Sequence, residues 1–330
     1  MAPFLCPGQR SSSSPSRILA RFWNNWALRL IGVDRPVSRS FSLGLIGYPL
    51  GHSLSPHMHK AALESLSMQG DYDLYPVELY PQRNAKLENL FKRMRLGEIH
   101  GLNVTIPHKS NVIEFLDELT PTAESIGAVN TIFERDNLLI GDNTDAPAFL
   151  NEIHNLKTNL SHKQALVLGA GGSARAVAYA LVNEGWQVNI VARKLQQAED
   201  LVEHFGEGVT ALSWDLKNFQ ELGLACSLIV NTTPLGMAPN PDASPWPEDL
   251  PMPAGVAIYD LVYNPPTTQF VQTARKRGLV AHTGEGMLVE QAALAFETWT
   301  GHNAPRDIMR QVLDEQLSRS KNPDVLDKAT

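Results

Sequence analysis

Three short polar segments and one glycine turn hold the residue types that could do chemistry in this chain. The first segment is Gly51-His-Ser53-Leu-Ser55-Pro56, two hydroxyls at a strand-to-helix junction. The second is Asn103-Val-Thr105-Ile-Pro107-His-Lys109. Alternation along the strand end puts Asn103 and Thr105 on one side. Lys109 is expected in the first turn of a helix that starts at Pro107. A lysine there sits at the unfavourable end of the helix dipole, a placement that a catalytic role would explain. The third segment joins Gly127-Ala-Val-Asn130-Thr131 to Gly141-Asp-Asn-Thr-Asp145. Singly, each has a structural explanation: serine before proline is a common helix start, and Asp145 could cap the next helix. Together they supply hydroxyl and amide donors, one lysine and one carboxylate. That set suits a polyhydroxylated small molecule, and it requires no metal.

The glycine turn is Gly169-Ala170-Gly171-Gly172-Ser173-Ala174, which fits the G-x-G-x-x-A dinucleotide fingerprint. Gly169 allows the tight turn, Gly171 lets the backbone approach a pyrophosphate, and Ala174 keeps the helix close to the strand. Free N–H groups at the helix start then face the phosphates. The next strand ends Val191-Ala192-Arg193-Lys194, with no acid to hold a ribose 2′-hydroxyl. Two cations suit a 2′-phosphate by charge and by guanidinium geometry, so the expected cofactor is NADP.

These segments need elements to position them. Phe41–Gly47, residues 71–79 and 99–104 read as strands, and helices are expected over 56–68 and 84–96. Short strands at 129–133 and 138–140 flank a turn at Asp136-Asn137. A second α/β unit starts near Gln164: strand 165–168, helix 173–184, strand 188–191 and helix 196–204. Further strands are expected at 228–230, 256–259 and 279–281, with closing helices at 287–300 and 307–317. Asn240–Pro253 holds five prolines and reads as loop. The alternation of strands and helices predicts an α/β protein built on parallel or mixed sheet.

Composition sets the outer limits. The 330 residues allow roughly two domains, and 43% hydrophobic residues allow a sizeable core. No apolar run reaches the ~18 residues of a membrane span. Two cysteines, Cys6 and Cys226, are too few for a disulfide scaffold or a cysteine metal site. The net charge of −7 argues against nucleic acid as the main partner. Residues 1–41 depart from the rest, with six arginines, no lysine and one acid. Ile18, Phe22 and Trp26 form a possible apolar face there. Such a stretch reads as a transit peptide, a disordered tail or a start placed too far upstream.

In their order along the chain, these motifs resemble the shikimate dehydrogenase family. The matching segments are His52–Pro56, Asn103–Lys109, Gly127–Thr131, Gly141–Asp145, Gly169–Gly172, Tyr259-Asp-Leu-Val-Tyr-Asn-Pro265 and Gly286–Phe296. The resemblance runs from about Leu43 to Leu317. It implies reversible, NADP-linked conversion of 3-dehydroshikimate to shikimate, a step toward chorismate and the aromatic amino acids. It also implies a discontinuous substrate domain (42–146 with 287–330), a Rossmann NADP domain (147–286) and an extension (1–41).

By motif match, Ser53 and Ser55 would bind the substrate carboxylate. Asn103, Thr105, Asn130 and Gln291 would contact ring hydroxyls or place the ring, with Tyr263 nearby. Lys109 and Asp145 would form the catalytic pair, and Asp145 would also hold a substrate hydroxyl. Gly169 to Ala174, Arg193, Lys194, Thr232, Leu261, Gly284 and Met287 would line the NADP site.

Two positions depart from the family pattern. Gln197 stands where a second arginine is usual, and Glu285 where leucine is frequent. A quinate/shikimate dehydrogenase using NAD(P) is one alternative. A non-catalytic NADP-sensing module is another, although it would be expected to lack Lys109 or Asp145. The sequence leaves oligomeric state open, a homodimer included. The default compartment is the cytoplasm, or an organelle if residues 1–41 are a transit peptide.

Overall fold

The computed structural model describes residues 40–321 apart from 81, 82, 157, 159 and 161. The expected extension therefore lies outside the described residues up to position 39, as do residues 322–330.

Two six-stranded sheets organise the described chain. The first contains β1 (Phe41–Gly47), β2 (Gly70–Pro76), β3 (Gly101–Val104), β4 (Glu118–Leu119), β5 (Thr131–Arg135) and β6 (Leu138–Asp142), in the order β2-β1-β3-β5-β6-β4. It is mixed: β1 runs parallel to β2 and β3, whereas β5 is antiparallel to β3 and β6. The β5–β6 hairpin turns at Asp136 and Asn137, both at positive φ (54° and 67°), as a two-residue type I′ turn requires. Helices α1 (Ser55–Ser65), α2 (Arg83–Arg95), α3 (Pro121–Ile126) and α4 (Asp145–His154) belong to this half of the chain.

The second sheet is parallel throughout. It comprises β7 (Gln164–Leu168), β8 (Gln187–Ala192), β9 (Val209–Ser213), β10 (Leu228–Asn231), β11 (Ala257–Asp260) and β12 (Ala281–Thr283), in the order β9-β8-β7-β10-β11-β12. This is the doubly wound Rossmann order, with its reversal point between β7 and β10. Helices α5 (Gly172–Asn183), α6 (Leu195–Phe205), α7 (Leu216–Ala225) and α8 (Gln269–Lys276) connect its strands. The inner strands β7, β10 and β11 are apolar along nearly their whole length because both faces are covered.

The last helices, α9 (Glu285–Thr300) and α10 (Arg306–Lys321), return to the first sheet. Val289, Ala292, Phe296, Met309 and Leu313 share one core with Leu43, Leu45 and Met58. Trp299 Nε1 donates to the Ile132 carbonyl on β5 at 3.0 Å, and its ring occupies the space that a Cβ on Gly101 would need. Met287, at the start of the same helix, packs instead with Val167, Phe149 and Tyr259. One helix thus ties together the cores of both sheets.

Three expectations differ from the structure. No helix starts at Pro107. The Lys109 carbonyl accepts from Val129 N and the Ile106 carbonyl from Tyr48 N, so contacts between loops distant in the chain take acceptors a helix would use. The dipole argument for Lys109 lapses with that helix. The strand expected at 279–281 begins at Ala281, because Leu279 N bonds back to Ala274 O and closes α8. Strands β4 and β9 and helices α3, α7 and α8 are additional elements. In β9 only Val209 is buried, so it shows no apolar run.

Candidate active site

The polar segments converge where the end of β3, the loop after it, the start of β5 and the start of α4 meet the glycine turn of the second sheet. Lys109 Nζ donates to Asp145 Oδ2, and the two side chains are only 11% and 7% exposed. Lys109 Nζ also lies 3.3 Å from Ser173 Oγ on α5. A Cβ on Gly172 would stand 3.0 Å from Lys109 Cβ, so the glycine turn touches this lysine directly.

Asp145 does not cap α4. The Asn143 side chain accepts from the N–H groups of Asp145 and Ala146 at 3.1 and 3.2 Å, which leaves the carboxylate for other partners. Its Oδ1 accepts from Asn130 Nδ2 at 2.9 Å while its Oδ2 takes Lys109. Asn130 is held in turn by Thr144 N and Thr131 Oγ1, both donating to its Oδ1. Asn103 Nδ2 donates to the Asn130 carbonyl at 3.1 Å and to Thr131 Oγ1 at 3.2 Å. Every link in this buried network has a donor facing an acceptor, so the side chains are locked in one orientation.

Of the remaining expected substrate residues, Gln291 bonds to this network, and Ser55 and Tyr263 lie near Tyr72, which donates to Asn103. Ser55 is the first residue of α1 and makes no capping bond. Its hydroxyl is not committed to the helix end, and its N–H reaches Ser53 Oγ at 3.4 Å. Thr105 is half-buried, packs its methyl against Gly47 and donates its N–H to Ile46 O. Tyr263 is partly buried beside the first core, and burial pushes its hydroxyl up to about 12. Gln291 lies on α9, where its side-chain amide donates to Leu288 O and its backbone carbonyl accepts from Thr144 Oγ1.

Tyr72, Thr131, Asn143 and Thr144 are members of the network that the sequence did not single out. Three of them sit inside or beside the polar motifs. Tyr72 stands alone on β2 with no motif to mark it.

The second sheet supplies a phosphate cradle. Gly169 has φ +109°, and a Cβ there would meet Thr232 Oγ1 at 2.7 Å, so only glycine fits. A Cβ on Gly171 would meet nothing within 4 Å, and the residue is exposed, which leaves room for a phosphate at the start of α5. Ala174 is fully buried against the sheet. Arg193 and Lys194 follow β8, whose Val191 is in register with Leu168, so they emerge at the same edge as the glycine turn. Both are exposed, and neither forms an ion pair with a described residue. These features fit a dinucleotide carrying an additional phosphate.

Thr232, Leu261 and Gly284 lie on adjacent loops at this edge. A Cβ on Gly284 would be 2.2 Å from Leu261 O, so the two backbones are in contact. A buried carboxylate ties these loops together. Asp260 accepts from Thr268 Oγ1 (2.6 Å), Asn231 Nδ2 (2.8 Å) and Val262 N (3.0 Å). Burial outweighs these bonds and raises its pKa from 3.8 to about 6.

A raised carboxyl pKa means that the folded state binds the proton more tightly than the unfolded state. The burial penalty is absent below about pH 4, grows as pH rises toward 6, and is complete above it. The stability of Asp260→Asn relative to the native chain should therefore improve between pH 4 and pH 7, by about 3 kcal/mol at most. Melting temperatures of both proteins across that range would test this, and a constant difference would contradict it.

No helix among the described residues is long and apolar enough to cross a membrane. Family models match three stretches of the chain. A shikimate dehydrogenase substrate binding domain matches residues 45–132, a shikimate/quinate 5-dehydrogenase domain 151–233, and a shikimate 5′-dehydrogenase C-terminal domain 284–313. The NADP(+) shikimate dehydrogenase of Caldanaerobacter subterraneus subsp. tengcongensis is 39% identical over 277 residues, covering 83% of this chain and 96% of the relative. The shikimate 5-dehydrogenase of Thermus thermophilus, solved with NADP(H) and shikimate, is 38% identical with a TM-score of 0.72, over 83% of this chain and 99% of that one. A quinate dehydrogenase from Corynebacterium glutamicum, solved with NAD, shares 28% identity at a TM-score of 0.73, over 84% and 99%. With motifs, sheet order and relatives in agreement over most of its length, the chain belongs to the shikimate dehydrogenase family.

Proposed function

We propose that this protein catalyses the reversible reduction of 3-dehydroshikimate to shikimate with NADPH. The single observation that carries the reading is the buried Lys109–Asp145 pair, held against the glycine turn by the Lys109–Ser173 contact. When bound, the cofactor supplies the hydride, while the protein supplies orientation and the proton.

In reduction Lys109 donates a proton to the carbonyl oxygen, and in oxidation it takes the proton back. As an ammonium group it also stabilises charge developing on that oxygen. Asp145 orients Lys109 through one carboxylate oxygen and, from its position in the network, holds a substrate hydroxyl. Asn103, Thr105, Asn130 and Gln291 bind or place the ring, with Tyr263 at its edge. Ser53 and Ser55 take the substrate carboxylate; the absence of a capping bond from Ser55 to the end of α1 supports this role.

The glycine turn and Ser173 cradle the pyrophosphate, and Arg193 and Lys194 hold the 2′-phosphate. Thr232, Leu261, Gly284 and Met287 line the rest of the NADP site. Residues 42–146 with 287–330 form the substrate half and 147–286 the cofactor half. The return of α9 and α10 to the first sheet supports this partition. The small-molecule substrate and cofactor are the expected partners, and the cytoplasm is the expected compartment.

Initial rates at the nicotinamide absorbance band test the reading, with shikimate or quinate each paired with NADP or NAD. Turnover confined largely to shikimate and NADP is expected. Comparable rates with quinate or NAD would place the protein in the broader-specificity branch, and no turnover would overturn the assignment.

A further inference from the structure

Tyr72 is the one fully buried residue of edge strand β2, at 2% exposure. Its strand neighbour Leu43 is paired on its other side with Gly101, so Tyr72 shares a sheet face with Gly101 and with Asn103 two residues on. The side chain spans β1, and its hydroxyl donates to Asn103 Oδ1 at 2.8 Å. The ring stacks on His59, with centroids 4.4 Å apart and planes within 5°. Ser55 and Tyr263 are the other polar side chains whose influence reaches this hydroxyl. Three residues of the proposed substrate site thus surround a tyrosine to which no role has been given.

The hydrogen-bond directions define what that tyrosine does. Asn103 has two amide hydrogens, and both are used, by the Asn130 carbonyl and Thr131 Oγ1. Its Oδ1 receives the Tyr72 hydroxyl. Flipping the carboxamide would set Oδ1 against the Asn130 carbonyl and leave Tyr72 without its acceptor. From Asn103 the donors continue through Thr131 and Asn130 to the Asp145 carboxylate, and so to Lys109.

We propose that Tyr72 is a substrate-positioning residue that fixes Asn103 as a hydrogen-bond acceptor, so that the substrate group beside Asn103 must be a donor, a ring hydroxyl and not a carbonyl. This rests on the assignment of Asn103 to the substrate site. It makes the corner select for a hydroxyl that the reaction leaves unchanged, and against a ring bound with its ketone there.

Tyr72→Phe tests the proposal, because it keeps the ring on His59 and removes only the hydroxyl. The dissociation constant for shikimate, measured by calorimetry without cofactor, should rise about tenfold, with a matching rise in KM. Affinity for NADP and the melting temperature should stay close to wild type. In an Asn103→Ala background the same change should add less than a twofold effect.

A second measurement needs no variant. Replacing the hydroxyl beside Asn103 with fluorine, which cannot donate, should weaken binding to the native protein about tenfold, whereas an amino group there should be tolerated. Unchanged shikimate affinity in Tyr72→Phe, equal losses for shikimate and NADP, a full additive loss in the double variant, or tolerance of fluorine at every ring position would each overturn the proposal. Failure of the native protein to bind shikimate at all would instead remove the assignment on which it rests.

Discussion

Replacing Lys109 by alanine should lower kcat by about 10³-fold in both directions, the size of effect expected when a positioned proton donor is lost. Lys109 is the described cation bonded to the buried Asp145 carboxylate, and it sits where the glycine turn approaches the first sheet. Removing it takes away the proton and the positive charge while the phosphate cradle of Gly169, Gly171 and α5 keeps its own backbone. Affinity for NADP should therefore change little. Steady-state rates together with cofactor binding by fluorescence would check this. Activity like that of the native chain would remove Lys109 from the mechanism. A loss of NADP affinity as large as the loss of turnover would reassign it to the cofactor site.

Arg193→Ala should raise KM for NADP by about 10- to 100-fold and leave KM for NAD nearly unchanged, since a charge-assisted bond to phosphate contributes roughly 1.5–3 kcal/mol. The arginine is exposed at the end of β8, beside Lys194. With glutamine at position 197, these two cations carry the expected selectivity for the 2′-phosphate. Because the site is exposed, the preference for NADP should also weaken as salt is added. Parallel measurements of KM for both cofactors at low and high ionic strength decide the matter. Equal changes for NADP and NAD would show that Arg193 does not read the phosphate.

Much of the fold was legible because local pattern and tertiary environment agree. Strand β7, the Gly169–Ala174 turn and helix α5 follow one another as the fingerprint demands, and the structure shows why. Gly169 takes a positive φ next to Thr232, and Ala174 is fully buried. The β5–β6 hairpin was likewise marked by Asp136-Asn137, which can adopt the left-handed conformation at low cost. The helix expected at Pro107 shows the opposite case. Proline is a good start signal, but the carbonyls at 106 and 109 are taken by Tyr48 and Val129, residues distant in the chain. Strand β9 gave no sign because an edge strand with one buried side chain has no periodic apolar pattern.

The same division runs through the site. By itself, the sequence determined which chemical groups are present: one lysine, one carboxylate, a set of amides and hydroxyls, and a glycine turn followed by two cations. Local rules assign Asp145 to capping, and nothing local distinguishes Tyr72 from any other tyrosine on a strand. Tertiary structure decided how those groups are used. It gave the cap of α4 to Asn143, freed the Asp145 carboxylate for Lys109 and Asn130, and brought Tyr72 across β1 to Asn103. The physical reason is that a buried hydrogen bond is selected by the donors and acceptors that meet when strands from different parts of the chain pack together. That pairing is set by sheet order and register, and no window of neighbouring residues contains it.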